Sequence, residues 1–211
     1  MAPLFSPLQM GKCQLAHRIA YGPMTRFRAS DDHIHGPLAV EHYAQRGSVP
    51  GTLIITEATF ISPRCSGYPN VPGIWNQAQV DAWKQVTDAV HRKGSFIFLQ
   101  LWALGRAATP EVMAEGAGRD GIVSSSAVPI GEGRLVPRAL SEEEIWSYIG
   151  DYVQAAKNAV EAGFDGVEIH GANVRRAGRL LYWVTKTNTN LDPRDISSTN
   201  LPRTLATSVQ V

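Results

Sequence analysis

Phe164-Asp165-Gly166-Val167-Glu168-Ile169-His170-Gly171-Ala172-Asn173 is the stretch that decides the fold. Its centre, residues 166–169, reads as a buried strand ending on two polar groups able to grip a ligand, His170 and Asn173. A well-marked helix lies directly upstream. Ser141 and Glu144 form a capping box there, and Glu142 and Glu143 favour the positive helix end. Ile145, Tyr148, Ile149, Tyr152, Val153, Ala156 and Val160 recur along one face, and Gly163 closes the helix.

The same alternation repeats toward the N-terminus. Phe96-Ile97-Phe98-Leu99-Gln100-Leu101-Trp102 and Thr52-Leu53-Ile54-Ile55-Thr56-Glu57 are near-continuous apolar runs, as expected of strands buried on both faces of a parallel sheet. Between them, Asn76 and Gln79 form a capping box ahead of Val80, Trp83, Val86 and Val90 at helical spacing, with Gly94 as the stop. Residues 38–46 predict a short helix ending at Gly47, and Arg18-Ile19-Ala20-Tyr21 a short strand stopped by Gly22-Pro23. Residues 1–17 read as irregular or hairpin structure, and 61–75 as a loop. Residues 103–140 are a long Gly/Pro-rich excursion with an extended piece expected at 122–130.

Strand, helix, strand, helix, strand, helix, strand defines an α/β chain with a parallel sheet, either open or closed into a (β/α)8 barrel. No G-x-G-x-x-G follows the first strand, which lowers the dinucleotide-binding reading. Every strand end carries polar groups: Thr25, Glu57 and Thr59, Gln100, and His170 with Asn173. Barrels build their sites at such ends, so the barrel is favoured.

Composition sets outer bounds. A hydrophobic fraction of 44% and a charged fraction of 18% are those of an ordinary globular chain, and 211 residues suffice for one sizeable core. A net charge of +1 gives no overall pull toward nucleic acid or an anionic membrane. No run approaches the ~18 apolar residues of a membrane helix, and the first 20 residues lack an apolar signal core. Cys13 and Cys65 are isolated and predict free thiols in a reducing, cytoplasmic setting. Charge is uneven, however. From residue 174 onward six basic residues face two acidic ones, a local +4 that leaves −3 on residues 1–173.

Taken singly, the polar residues have bland readings. Thr25 after Pro23-Met24 can simply shape a turn, and a buried Gln100 can be satisfied by backbone or water. Trp75, Trp83 and Trp102 read as packing. His170 and Asn173 together are different, since two convergent donors can hold one carbonyl or oxyanion.

The joint pattern is specific. Gly22-Pro23-Met24-Thr25-Arg26-Phe27-Arg28, Tyr43-Ala44-Gln45-Arg46, Ile55-Thr56-Glu57-Ala58-Thr59, Phe98-Leu99-Gln100-Leu101-Trp102-Ala103-Leu104-Gly105-Arg106 and residues 166–173 resemble the old yellow enzyme family. These are FMN-containing, NADPH- or NADH-dependent ene-reductases on a (β/α)8 barrel. Arg46-Gly47-Ser48-Val49-Pro50-Gly51-Thr52 and Val71-Pro72-Gly73-Ile74-Trp75 are similar to the fungal, ergot-alkaloid branch that acts on chanoclavine-I aldehyde. The resemblance implies roles. Pro23, Met24 and Thr25 would line the flavin ring, with the threonine tuning its potential. Ala58 would sit beside the flavin, and Gln100 would bond its pyrimidine edge. His170 and Asn173 would hold the carbonyl of an enal or enone, so that its β-carbon accepts hydride from the flavin.

The resemblance covers residues 1–173 and then stops. The family's Gly and proton-donating Tyr after the Asn are here Val174 and Arg175, and a guanidinium is a poor proton donor. The family's barrel is about twice this length, and its later strands supply a basic residue near the flavin and the phosphate site. The expectation is therefore an incomplete barrel of four strands and three helices over 1–173, followed by a divergent, disordered tail over 174–211. An altered or truncated reading frame accounts for the abrupt change better than a genuine divergent C-terminus. The chain is expected to be inactive. Alternatives are a reductase completed by a second chain and a non-catalytic binding protein. Exposed sheet edges make self-association an expected behaviour.

Overall fold

Strand order follows from which apolar runs must be covered on both faces. In the computed structural model, which describes residues 3–112 and 121–171, the run at 96–102 is the central strand. In chain order the elements are β1 (Leu8–Met10), β2 (Cys13–Leu15), β3 (Ala20–Tyr21), α1 (Pro37–Arg46), β4 (Leu53–Ile55), β5 (Thr59–Phe60), α2 (Gln77–His91), β6 (Phe96–Trp102), β7 (Val123–Ser124), β8 (Arg138–Ala139), α3 (Glu142–Glu161) and β9 (Gly166–Ile169). β3, β4, β6 and β9 lie side by side and parallel, in sequence order, and β5 continues along β6 on the β4 side. α1, α2 and α3 lie in the three crossovers between these strands. This is the first half of a (β/α)8 barrel, and it agrees with the expected elements closely.

The sheet's two faces differ. Ile97, Leu99 and Leu101 turn toward the helices and are fully buried against Val80, Trp83, Val86 and Val90 of α2 and Ala155 and Ala159 of α3. On the inner face, Phe96, Phe98 and Ile55 are only half-buried, although the β1–β2 hairpin brings Met10, Cys13 and Leu15 against them. All four residues of β9 are half-buried. Among the described residues, β3 pairs only with β4 and β9 only with β6, so both outer edges are open as the sequence implied.

Both capping boxes form. Asn76 accepts from the Gln79 N–H at 2.9 Å, and Ser141 from the Glu144 N–H at 3.2 Å. Gly163 follows α3 at φ +87°, where an added Cβ would also lie 3.0 Å from Thr87 Oγ1. Gly166 has a packing reason: a Cβ there would stand 2.7 Å from the Phe98 ring.

Two expectations change in detail. The strand predicted at 52–57 breaks after Ile55. There the Gln100 N–H is taken by Thr56 Oγ1 (3.1 Å), and the Thr56 and Thr59 hydroxyls both donate to the Glu57 carbonyl (2.9 and 3.0 Å). Side chains have replaced the ladder. The extended piece at 122–130 reduces to β7, which pairs with β8. Asn173, Arg175 and the tail at 174–211 lie outside the described residues.

Ser141→Ala is expected to lower unfolding free energy by about 1 kcal/mol, the usual worth of an N-cap. Val160, which helical spacing placed on the apolar face, is instead 73% exposed because Ala155, Ala159 and Ala162 fill the contact with the sheet, so Val160→Ala should change it by less than about 0.5 kcal/mol in the same urea melts.

Candidate functional site at the strand ends

The turn after β3 is fixed by one buried carboxylate. Glu57, at the break between β4 and β5, is 1% exposed. Its Oε2 accepts the backbone N–H of Arg26 at 3.1 Å, and its Oε1 accepts Arg26 Nε at 2.9 Å and Nη2 as well. Tyr43 of α1 donates its hydroxyl to Oε1 at 3.3 Å and accepts the Glu57 N–H at 3.0 Å. Burial and the Glu57 charge push the Tyr43 hydroxyl far up, so it stays a donor. The Arg26 guanidinium also lies 5.0 Å over the Tyr43 ring. Residues 23–25 are thereby held beside the end of β4. Pro23 and Thr25 are half-buried, and Met24 is exposed.

His35 completes this cluster. Its ring stands edge-on to Trp83 at 4.3 Å, and Nε2 is 3.5 Å from Glu57 Oε1. Despite that carboxylate it is neutral. Burial foremost, then the charges of Arg26 and His42, depress its pKa to about 3. The glutamate is already neutralised by Arg26.

The other expected residues flank this turn on the neighbouring strands. Ala58 is buried with Phe60, Trp102 and Leu104. Gln100 lies in register with Glu168, and its Nε2 donates to Glu168 Oε1 at 2.6 Å. Burial raises the Glu168 carboxyl, and the Gln100 bond opposes the rise. His170 follows β9, with its N–H on the Leu101 carbonyl at 2.9 Å. Its ring lies 5.3 Å from that of Trp102, and burial lowers its pKa. A neutral imidazole is therefore what this position offers, a donor from one nitrogen rather than an acid. The structure thus brings the 23–25 turn, Ala58, Gln100 and His170 to one end of the sheet, and Asn173 falls outside the described residues.

Sequence reasoning missed an aromatic wall here. Phe27, Tyr68, Trp102 and His170 follow one another at ring distances of 6.1, 5.9 and 5.3 Å. Trp102 had the reading of packing alone, yet its position at the end of β6, beside Gln100, is the signal that would have placed it. Its indole N–H is buried with no acceptor among the described residues. No group of His, Cys, Asp and Glu side chains among those residues could hold a metal ion.

The strand order, the polar strand ends and the aromatic wall are those of half a (β/α)8 barrel with a site at one end. The chain matches the NADH:flavin oxidoreductase / NADH oxidase family over residues 3–177 and belongs to it. It is similar to chanoclavine-I aldehyde reductase fgaOx3 of Penicillium roqueforti, at 60% identity over 82% of this chain and 47% of that protein. It is also similar to the probable inactive reductase easA of Epichloe festucae var. lolii, at 62% identity over 81% of this chain and 44% of that one. Among solved structures, the Old Yellow Enzyme from Pichia sp. AKU4542 shares 34% identity with a TM-score of 0.79, over 92% of this chain and 57% of that one. The chain spans about half the length of the curated relatives it matches.

Glu57→Gln leaves the Arg26 guanidinium without its counter-charge and should destabilise the fold by about 3–5 kcal/mol, while Glu57→Leu with Arg26→Met should restore most of that loss. Acid should also act through His35. The unfolded chain takes up its proton near 6.5 and the folded chain only near 3, so stability is unaffected above that window and falls as pH drops through it. Relative to His35→Phe, the wild type should lose up to about 1.4 kcal/mol per pH unit between pH ~6 and ~4 in denaturant melts.

Proposed function

We propose that this 211-residue polypeptide is an old yellow enzyme-like reductase half that, by itself, does not hold FMN and does not turn over. The observation that carries the reading is where the cations are. Arg26, on the flavin-lining turn, is committed to Glu57, and Arg106, just beyond Trp102, donates to the Val128 carbonyl at 3.0 Å. Arg26 is thereby withheld from a phosphate, whereas Arg106 keeps a buried Nε–H that has no acceptor among the described residues. In the relatives, about as much chain again lies outside the matched part.

The residues present fit the isoalloxazine ring better than the ribityl phosphate. The 23–25 turn and Ala58 would line the ring, and Gln100 would meet its pyrimidine edge once its amide is shared with Glu168. When bound, FMN supplies hydride, drawn from NADPH or NADH. This chain's own contribution is to the substrate. The neutral His170 imidazole donates to the carbonyl oxygen of an α,β-unsaturated aldehyde or ketone, with Asn173 as second donor, and so draws charge toward that oxygen. The Trp102 wall excludes water from the same side. Arg175, at the family's proton-donor position, cannot deliver the proton. Each charge-assisted bond to the phosphate that the polypeptide does not make forfeits roughly 1.5–3 kcal/mol of cofactor binding, on the order of 5–10 kcal/mol for three or four. A micromolar site is worth only about −8 kcal/mol.

The relatives' names point to fungal alkaloid chemistry, and chanoclavine-I aldehyde is the substrate type to test. A cytoplasmic location fits two thiols, Cys13 and Cys65, that are free, buried and pushed up to about 11 and 12 by burial. No helix among the described residues is long and apolar enough to cross a membrane. A second reading is favoured by the open edges of β3 and β9: another chain could complete the sheet and restore activity.

The purified polypeptide should be colourless, and with added FMN its NADPH oxidation in the presence of an enal should equal that of free FMN. A co-purifying flavin band, or enal-dependent oxidation above that control, overturns the proposal. Activity that appears only with a second added chain supports the assembly reading.

A further inference from the structure

On the inner face of the sheet, β6 and β9 stack their side chains in rows. Phe98 lies in register with Gly166, where a Cβ would stand 2.7 Å from its ring. Gln100 lies in register with Glu168, and beyond them the Trp102 and His170 rings stand 5.3 Å apart at the strand ends. The middle row puts a carboxylate directly beside an amide. Gln100 Nε2 donates to Glu168 Oε1 at 2.6 Å, and the Gln100 backbone N–H is held by Thr56 Oγ1 at 3.1 Å. Gln100 is only 6% exposed, so its place in the strand and the plane of its amide are both set. We propose that Glu168 is a positioning residue for Gln100. It engages the amide nitrogen and so makes the amide oxygen the group offered to a ligand, which selects a planar ring that presents an N–H donor, as the imide of a flavin's pyrimidine does.

The two ends of an amide have opposite polarity, so fixing one end fixes the other. An ionised carboxylate only accepts, and the end that faces Glu168 is therefore the nitrogen. Turning the amide over would set its oxygen against the carboxylate, two acceptors face to face in a half-buried place. A glutamine without this neighbour could present either end. Gln100 Oε1 makes no hydrogen bond among the described residues, so its acceptor capacity remains for a ligand. No Lys or Arg among those residues pairs with Glu168, whose carboxyl is raised by burial and held down only by the Gln100 bond. A cross-strand pair serving stability alone has no need of a particular amide end, whereas this one lies one row below the Trp102 and His170 rings, at the ligand end of the sheet. The choice of ring rests on the flavin reading, and the orientation of the amide does not.

Riboflavin binding to the full polypeptide, followed by fluorescence titration, is measured in a double-variant cycle. Glu168→Gln keeps the shape but can donate as well as accept, so the Gln100 amide loses its fixed polarity. It should weaken riboflavin binding by at least ~5-fold when Gln100 is present and by less than ~2-fold in the Gln100→Met background. A loss of equal size in both backgrounds, or no loss in either, overturns the proposal. The ligand-free protein gives a second readout, the side-chain NH2 signals of Gln100 in a nitrogen–proton correlation spectrum. In the wild type one proton of the pair should lie downfield and be protected from exchange. Glu168→Gln should abolish both effects, with the α2 amides equally protected in the two proteins as the control for folding. Gln100 signals that are the same in both proteins overturn the proposal, whatever riboflavin does. If riboflavin binds neither protein, the flavin reading fails and the spectrum decides the orientation. It decides equally if Gln100→Met loses its α2 protection.

Discussion

One buried carboxylate organises this molecule. Glu57 takes a guanidinium, a backbone N–H and a phenol from two elements that precede it in the chain, and it sits where its own strand breaks. A charge this deep is tolerated only when fully paired, so the turn at 23–26 and helix α1 cannot drift independently of the sheet. That turn is where the resemblance places the face of the flavin. The same pairing that fixes the turn also removes Arg26 from service as an anion ligand. The order of the turn and the engagement of Arg26 therefore have a common cause.

Much of the architecture was legible because each element announces itself locally. The capping boxes at Asn76 and Ser141, the apolar runs at 96–102 and 166–169 and the closing glycine at 163 place strands and helices almost to the residue. The break at 56–58 was not legible. It depends on Thr56 capturing the Gln100 N–H and on Tyr43 capturing the Glu57 N–H from far away in sequence, with Thr59 closing locally on the Glu57 carbonyl, and apolar periodicity carries no trace of that. β7 was legible only as part of a longer extended piece and β8 escaped, both being two-residue pairings inside a Gly/Pro-rich loop.

The site was legible in its residues more than in its connections. Gln100 and His170 stand out as polar groups at the ends of apolar strands, and the structure sets them at one end of the sheet. The engagement of Gln100 with Glu168 needs the register of β6 and β9, which only the folded sheet defines. The neutrality of His35 and His170 likewise comes from burial, and burial follows from packing.

We propose that this polypeptide offers a place for the flavin ring and, with Arg26 committed to Glu57, no strong one for its phosphate. Comparing FMN with riboflavin by flavin-fluorescence titration tests it directly, since the two ligands differ only in that phosphate. Equal and weak dissociation constants, within about threefold of each other, are predicted. Binding of FMN tighter than riboflavin by ~100-fold or more, the ~2.7 kcal/mol signature of at least one charge-assisted phosphate contact, would contradict it.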